Sequence, residues 1–565
     1  MSKRARDDDD DHHHHEESHS HQKRMRLTFH DHLSTLSDEL ILRTLSYLPL
    51  SDRITCLRLS HRLQSLADDP QLWKAAYYSR FVRPRASRIP GLRGHDTSVK
   101  ALHYSSKLSK WLEDDHLVRR GKKTNWKRQY KLRHNWSIGS CNVSQTTVAE
   151  QASIPPLLVR LYENIIFTAD STEGLRVLSM NGEPIILATL PFTVETKSQA
   201  LSPKPTSLAV DASTSDGNAI GVAVGFANGG FGVYKFDKRK SALALLYQHA
   251  PSSNGTVSAI AYVSPYILTM TEAQLLSLYM FPHTPPYRSL SDKHTVVAPH
   301  LVSSLKSHTA WPPLSLSIRA SSASVSASIA YAMPTYLDGW SVGMQEMLLT
   351  PEGRVMESRL ASAETQGFHS LSTDSGGSRS PSWNSRAPSS SVRNRPYVET
   401  SDYRSRPTSL SYTHPYLLAA HADNTLTVYL VTSTARELAI GPGRRLWGHT
   451  SSVASAHVGD RGKAVSVSKR GNELRVWELE GVTISQASRR RSAIGADAER
   501  SIQVRPETKA DSARKAPQQV TEVQSRYKDE DMVVTKGWVA FDEEKVVVLR
   551  EEQKGAQALV VYDFT

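Results

Sequence analysis

The chain is 565 residues long, carries a formal net charge of +13 and contains two cysteines, Cys56 and Cys141. This length allows several domains, whereas two cysteines so far apart in the sequence argue against a disulfide framework and for a reducing compartment. The chain has no run of about eighteen uninterrupted apolar residues and no apolar segment after Met1 typical of a signal peptide, so neither a transmembrane helix nor a secretory leader is expected.

Residues 1–32 are predicted to form a disordered tail. Blocks of aspartate (residues 7–11) and histidine (residues 12–15) lie between two basic clusters, at residues 3–6 and 23–26. The spacing of these clusters fits a bipartite nuclear-import signal, and a solvated charged tail is the alternative. We therefore expect the protein in the nucleus, the cytoplasm or both. Nothing positions the histidine block as a defined metal site.

A leucine-rich segment over residues 33–80 predicts a compact helical module. Ser37 is a suitable N-cap and Pro49 ends the first helix. The apolar residues of this helix recur at helical spacing: Leu40, Ile41, Leu45 and Leu48. Their number exceeds what so small a unit needs for its own core, which indicates a binding partner. A three-helix subdomain that packs only on its own chain is the alternative.

This segment resembles the F-box. The matching residues are Leu36, Glu39, Leu40, Ile41, Leu45, Leu48, Asp69-Pro70 and Leu72-Trp73. Three positions depart from the pattern: Ser37 replaces the usual proline, Arg53 stands where an apolar residue is common, and Leu63 stands where many members carry tryptophan.

The resemblance implies that the module binds the Skp-type adaptor of a cullin–RING ubiquitin ligase. The residues expected to contact this adaptor are Leu36, Ser37, Leu40, Ile41, Leu45, Leu48, Leu50 and Ile54. The proline of the family normally lies in this contact. Adaptor binding is therefore expected to depend most on Ser37.

Residues 81–145 are predicted to form a helical linker. Trp126, Tyr130 and Arg133 lie on one face of its clearest helix. Aromatic residues between basic ones suggest a nucleic-acid surface as one interpretation. The segment also resembles the helical linker that joins an F-box to a β-propeller. That resemblance implies that the aromatic side chains pack against the propeller while the basic side chains stay in solvent.

Residues 150–565 are predicted to form an all-β propeller of the WD type. Short β-rich runs recur as hairpins, which is typical of propeller blades. The clearest unit, residues 446–479, contains Gly448-His449 and Trp477-Glu478 and resembles a WD repeat. Its loop reads Lys469-Arg470-Gly471-Asn472 where an aspartate is usual, so we do not expect a complete histidine–aspartate network in this unit.

The hairpins indicate about seven blades, with six or eight as alternatives. Because the last unit has few strands, ring closure needs a strand from residues 140–150, which removes an exposed sheet edge. Two polar insertions, 362–407 and 483–528, are predicted to be disordered. The basic sequence at residues 489–492 is a kinase site, a nuclear signal or a solvated loop.

No motif for a catalytic, metal or cofactor site survives its context. The glycine-rich stretch 225–232 lies between two strands rather than before a helix. We therefore expect a multidomain protein that is no enzyme: the substrate-recognition subunit of an SCF-type ubiquitin ligase, whose propeller captures a protein substrate. Propellers of related adaptors read phosphorylated peptides through arginines, which makes Arg445, Lys469 and Arg470 candidates, with ordinary surface charge as the alternative. A propeller scaffold with a ligase-independent F-box and a nucleic-acid-associated protein are the rival interpretations.

Overall fold

The computed structural model describes two compact units of the chain. One contains the described residues up to Val82 together with Asn125–Lys127, and the other contains the rest. The described residues are 35–83, 124–180, 185–192, 203–211, 218–282, 298–306, 310–320, 324–335, 339–350, 352–363, 405–434, 436–459, 462–471, 473–479, 501–506, 532–533, 538–552 and 555–565. The predicted N-terminal tail, most of both insertions and the basic sequence at 489–492 lie outside these residues.

The first unit is a small helical domain, as predicted. Its elements are α1 (Asp38–Tyr47), α2 (Leu50–Cys56), α3 (His61–Ala67) and α4 (Pro70–Tyr77), the last continuing into a π-helical turn (Tyr78–Val82). Side chains cap α3 and α4, because Ser60 accepts a hydrogen bond from Leu63 N and Asp69 accepts one from Gln71 N. Trp73 is buried and its Nε1 donates to Ala67 O at 3.0 Å, which ties α4 to the end of α3.

The second unit begins with the remainder of helix α5 (Trp126–Ile138), whose first two residues belong to the first unit. Strand β1 (Ser140–Ala149) follows directly. Gly139 makes the change of direction with φ +76°, and a Cβ at this position would collide with Gln503 O. Only glycine fits this junction without strain.

The strands of the second unit form seven sheets among the described residues, which are the blades of a β-propeller. The first blade contains β2 (Leu158–Tyr162), β3 (Ile165–Asp170), β4 (Gly174–Ser179) and β5 (Ile185–Leu190). The second blade contains β6 (Pro205–Asp211), β7 (Ala219–Phe226), β8 (Phe231–Asp237) and β9 (Ala242–Gln248). The third blade contains β10 (Val257–Val263), β11 (Tyr266–Thr271), β12 (Leu275–Met280) and β13 (His300–Lys306). The fourth blade contains β14 (Trp311–Ala320), β15 (Val325–Thr335), β16 (Gly339–Leu349) and β17 (Val355–Ser362). The fifth blade contains β18 (Pro407–Thr413), β19 (Tyr416–His421), β20 (Leu426–Ser433), β21 (Leu438–Ile440) and β22 (Arg444–Leu446). The sixth blade contains β23 (Val453–Val458), β24 (Lys463–Ser468), β25 (Leu474–Glu478) and β26 (Ser501–Gln503).

The seventh blade combines strands from both ends of the propeller sequence. It contains β27 (Arg505–Pro506), β1, β28 (Met532–Val533), β29 (Val539–Phe541), β30 (Lys545–Glu552) and β31 (Gln557–Asp563). Strand β1 pairs antiparallel with β31, from Asn142 opposite Asp563 to Ala149 opposite Gln557. The strand that the sequence predicted to close the ring is thus present.

The innermost strands of the blades form a ring around a central channel. Strand β6 contacts β2 and β10, β14 contacts β10 and β18, and β23 contacts β18 and β29. Contact between β29 and β2 completes the ring. Between neighbouring blades the core is apolar, with Val465, Val476, Val548 and Tyr562 together in one cluster between the sixth and seventh blades.

Two predicted boundaries differ from the structure. Residues 140–145, assigned to the linker, belong to β1 because α5 already ends at Ile138. Residues 501–506, assigned to the second insertion, form β26 and β27. An outer strand of a blade covers little apolar surface, so these residues are polar. Their polar composition is why the sequence pattern did not identify them as strands. Among the described residues no helix is long and apolar enough to span a membrane.

Candidate docking sites on the helical domain and the propeller

Four large apolar side chains are exposed to solvent among the described residues of the helical domain. Leu40 is 53 % exposed and Tyr47 is 76 % exposed on α1. Ile54 on α2 is 41 % exposed, and Leu59, which follows α2, is 65 % exposed. Exposed apolar side chains that adjoin one another are typical of interaction surfaces.

The eight residues predicted to contact an adaptor fall into three groups. Leu40, Ile54 and Ser37 are exposed, whereas Leu36, Leu48 and Leu50 are half-buried. Ile41 and Leu45 are each only 3 % exposed and pack in the domain core with Ala67 and Leu72.

Ile41 and Leu45 therefore lie in the core of the helical domain, and their contact with an adaptor stays a prediction. Four residues apart on α1, they lie on the face that packs on α3 and α4. The apolar stripe in the sequence is broad, and only the tertiary fold separates its inner part from its outer part. Tyr47 and Leu59 are exposed as well, although the sequence pattern did not single them out. Tyr47 lies seven residues after Leu40, which places both on the same side of α1, and this spacing could have identified it.

Ser37 begins α1 without a side-chain cap. Its carbonyl accepts hydrogen bonds from Leu40 N and Ile41 N at 3.1 Å each, and its side chain makes no capping hydrogen bond. Its backbone has φ −66° and ψ 156°, and this φ is close to the value that a proline ring imposes. The start of α1 is held instead by Arg62, which pairs with Asp38 at 2.7 Å and donates to Leu36 O.

Arg53, the second departure from the F-box pattern, is a buried structural residue. Its guanidinium donates to Leu48 O at 3.0 Å and to Leu72 O at 3.3 Å. Leu48 lies just after α1 and Leu72 lies in α4. The arginine therefore donates hydrogen bonds to two backbone carbonyl groups, which an apolar side chain could not do because it has no donor.

The second half of helix α5 packs against propeller residues, as the resemblance to the linker implied. Trp136 stacks on Phe564 with ring centroids 3.9 Å apart, and its Nε1 donates to Glu543 O at 2.9 Å. Trp126 instead packs on Tyr77 in the first unit, at 5.5 Å between ring centroids. Among the basic residues of α5, Arg128 forms an ion pair with Glu544 at 2.7 Å while its side chain stays 56 % exposed.

The sixth blade contains a buried histidine network that the sequence did not lead us to expect. Trp477 Nε1 donates to Ser466 Oγ at 2.8 Å, and the same oxygen contacts His449 Nε2. His449 Nδ1 lies 3.4 Å from the Glu473 carboxylate. The acid comes from Glu473, directly after the loop Lys469–Asn472 that lacks an aspartate.

The histidine of this network is neutral in the folded protein. Burial lowers the pKa of His449 to about 4, although Glu473 acts in the opposite direction. Glu473 also accepts hydrogen bonds from Thr450 N at 2.9 Å and from Arg475 Nε at 2.6 Å. These donors keep the pKa of Glu473 below its ordinary value, even though burial alone would raise it. The network thus stabilises the blade.

The three candidate substrate-binding residues do not form one cluster of available cations. Arg445 forms an ion pair with Asp423 at 2.6 Å, and its guanidinium lies 5.2 Å from the centre of the exposed Trp447 ring. Lys469 and Arg470 are exposed in the turn between β24 and β25. Arg445 is already engaged by a carboxylate, which leaves Lys469 and Arg470 as the exposed members of the set.

The described residues contain no group of three or more His, Cys, Asp or Glu side chains that could hold a metal ion. Cys141 is buried and Cys56 is half-buried, and neither forms a disulfide.

Comparison with known proteins gives two family matches. Residues 33–75 match the family model described as F-box domain, and residues 141–565 match the one described as F-box protein pof12 beta-propeller. Proteins of these families are typically non-enzymatic adaptors. No curated protein matches the chain.

Several solved structures are similar to the propeller at low sequence identity. The WD40 propeller domain of Doa1 shares 10 % identity over 74 % of this chain and 95 % of that chain, with a TM-score of 0.32. The C-terminal WD40 domain of Sif2 shares 9 % over 75 % and 99 %, with a TM-score of 0.36. The propeller domain of Myceliophteria thermophila Cps50 (Swd1) shares 9 % over 75 % and 100 %, with a TM-score of 0.38.

Proposed function

This chain belongs to the F-box protein pof12 β-propeller family, and we propose that it is the substrate-recognition subunit of an SCF-type cullin–RING ubiquitin ligase. F-box domains generally bind Skp1-type adaptors, and propellers bind proteins. In this role the helical domain docks the adaptor and the propeller captures a protein substrate.

The observation that supports adaptor docking is the exposed apolar surface of α1 and α2. Leu40, Tyr47 and Ile54 are large exposed side chains. Their burial against a partner stabilises the complex by about 25 cal/mol per Å² of apolar surface removed from water. An apolar helix face of this kind fits a groove on a partner protein. The buried Ile41 and Leu45 contribute indirectly, since they hold α1 in place.

The mechanism of such a subunit is proximity rather than chemistry. Binding substrate and adaptor at once raises the effective concentration of substrate lysines near the ubiquitin-charged enzyme. The residues of this chain bind and orient, and other subunits catalyse the transfer. The two basic clusters of the N-terminal segment support a nuclear as well as a cytoplasmic location.

The proposal is tested by calorimetric titration of a purified Skp-type adaptor into the full chain. Leu40→Asp and Tyr47→Asp place a charge in the docking surface, and each is expected to weaken binding at least tenfold. Leu360→Asp is the matched control, because Leu360 is a large exposed apolar residue on β17 of the propeller. It is expected to leave the affinity unchanged. Absence of adaptor binding, or equal affinity of all three variants, would contradict the docking role.

The rival interpretation is a scaffold whose F-box works outside a ligase, and Ser37 is the residue that favours it. Co-purification separates the two interpretations. A ligase subunit brings both the adaptor and a cullin with it, and Leu40→Asp removes both. A chain that retains the adaptor without any cullin is a ligase-independent scaffold.

A further inference from the structure

Trp447 is the most exposed of the described tryptophans. It is 67 % exposed and follows β22 directly, in the connection between the fifth and sixth blades. Its indole N–H has no hydrogen-bond partner within the described part of the chain, whereas the buried Trp477 donates its own to Ser466 Oγ. Tryptophan is enriched at the centres of protein interfaces, where its ring is buried and its N–H finds an acceptor.

Arg445 and Asp423 hold the Trp447 ring from one side. The guanidinium carbon lies 5.2 Å from the ring centre, within the range of a cation–π contact. Asp423 pairs with this guanidinium at 2.6 Å, and Thr425 Oγ1 donates to Asp423 at 2.6 Å and accepts from Arg445 Nε at 3.2 Å. Burial alone would raise the pKa of Asp423, but Thr425 and Arg445 keep it below its ordinary value. The pair is therefore ionised at neutral pH.

The backbone on both sides of Trp447 is fixed as well. Leu446 is only 4 % exposed and packs with Val428 in an apolar cluster. Gly448 lies so close to Ser501 that a Cβ at this position would collide with the serine hydroxyl. An exposed ring held in one position loses little conformational entropy when a partner covers it. Trp447 therefore has the rigidity expected of an anchor residue.

The connection that carries Trp447 forms one surface with two neighbouring turns. Asn424 Nδ2, in the turn between β19 and β20, donates to Thr450 O at 3.5 Å. Lys469 N, in the turn between β24 and β25, donates to Ser452 O at 2.8 Å. Both acceptors belong to residues 447–452. The surface thus extends from the fifth blade across Trp447 to the sixth blade.

The charges on this surface define what fits it. Lys469 and Arg470 are exposed, and neither forms an ion pair within the part of the chain that the structure describes. The charge of Arg445 is balanced by Asp423, so the position beside the ring favours an apolar group over a phosphate. An apolar platform with a cationic edge complements an apolar side chain that has carboxylates beside it.

We propose that Trp447 anchors a docking site for a protein segment that presents an apolar side chain flanked by carboxylate side chains. The apolar side chain packs on the face of the ring opposite Arg445, and the indole N–H donates to a backbone carbonyl of the segment. Lys469 and Arg470 face the carboxylates. The site rests on the proposed substrate-binding role of the propeller and names the chemical class of the segment that it recognises.

The site is tested by selecting a phage-displayed library of random peptides on the full chain and measuring the selected peptides by fluorescence anisotropy. The selected peptides are expected to share an apolar residue next to aspartate or glutamate. Trp447→Ala is expected to weaken their binding at least tenfold. Trp311→Ala is the matched control, because Trp311 is a 43 % exposed tryptophan at the start of β14, and it is expected to bind like the wild type. Equal binding by both variants, a motif without an apolar residue or no selected peptide would overturn the site.

Two further variants separate the ring from the charges. Trp447→Phe keeps an apolar ring without the N–H and is expected to lose less affinity than Trp447→Ala, which also serves if the alanine variant does not fold. The double change Lys469→Glu and Arg470→Glu is expected to weaken acidic peptides several-fold and to favour versions in which lysine replaces the acidic residues. An equal effect on both kinds of peptide would refute the role of the two cations.

The outcome is independent of adaptor docking. A chain that binds the adaptor but selects no peptide through Trp447 lacks this site alone. A chain that selects such peptides but binds no adaptor keeps the docking site and loses the proposed ligase role.

Discussion

The helical domain and the propeller differ in what they bury. The helical domain has a small apolar core around Ile41, Leu45, Ala67 and Leu72 and leaves several large apolar side chains outside. The propeller places apolar clusters between all its described blades and also buries charged groups, such as the carboxylate of Glu346. A small domain has too little volume to enclose all its apolar residues, so its surplus is available for a partner.

The network around Glu346 gives the propeller its largest expected response to a single change. The fully buried carboxylate pairs with Arg359 at 2.7 Å and with Arg319 at 2.9 Å, and it accepts hydrogen bonds from Ser433 of the next blade. These donors keep the pKa of Glu346 below its ordinary value against the effect of burial. Glu346→Ala leaves two arginines uncompensated and is expected to cost about 3–5 kcal/mol in the free energy of unfolding. Urea unfolding measures this, with the exposed Glu357→Ala as control; a similar loss in both variants would contradict the prediction.

The inner and outer sides of α1 give the next largest contrast. Ile41→Ala opens a cavity in the core and is expected to cost about 2–5 kcal/mol in stability of the helical domain. Leu40→Ala, at the neighbouring exposed position, is expected to change stability by less than about 0.5 kcal/mol and to weaken adaptor binding. Thermal unfolding and adaptor titration on both variants measure the two effects. Equal destabilisation by the two changes would show that the assignment of inner and outer positions is wrong.

The buried histidine of the sixth blade makes the propeller sensitive to acid. His449 has a pKa of about 4 in the folded protein, below its ordinary value of about 6.5 when unfolded. The unfolded chain therefore binds more protons between these values, so the contribution is intact above pH 6.5 and is lost as the pH falls toward 4. The loss amounts to about 2 kcal/mol at pH 5. Stability curves at pH 7.5 and 5.0 measure it, and His449→Gln should show a smaller difference between the two pH values than the wild type. An unchanged difference would refute this assignment.

The smallest expected effect concerns Ser37. Its φ of −66° suits proline and its side chain makes no capping hydrogen bond, so Ser37→Pro removes nothing from the fold. Proline restricts the unfolded chain and is expected to raise stability by about 0.4–1 kcal/mol. Thermal unfolding measures the gain, and adaptor titration on the same variant shows whether the serine weakens docking. A loss of stability would mean that the backbone at the start of α1 does not accept proline.

Much of the architecture could be predicted because it depends on local patterns. Hairpins ending in aromatic residues identified the blades, and the shortage of strands at the end of the propeller pointed to residues 140–150 as the closing strand. The F-box pattern located the helical domain. The polar strand at residues 501–503 escaped prediction, because its partner strand rather than its composition stabilises it.

The sequence by itself determined the two domain types, the presence of surplus apolar residues on α1 and the position of the strand that closes the ring. These features depend on periodicity and turn residues within short segments of the chain. The tertiary structure decided which apolar residues of α1 face solvent, which acid completes the His449 network and why Arg53 is buried. Such contacts depend on how blades and helices pack, and no local pattern in the chain records them.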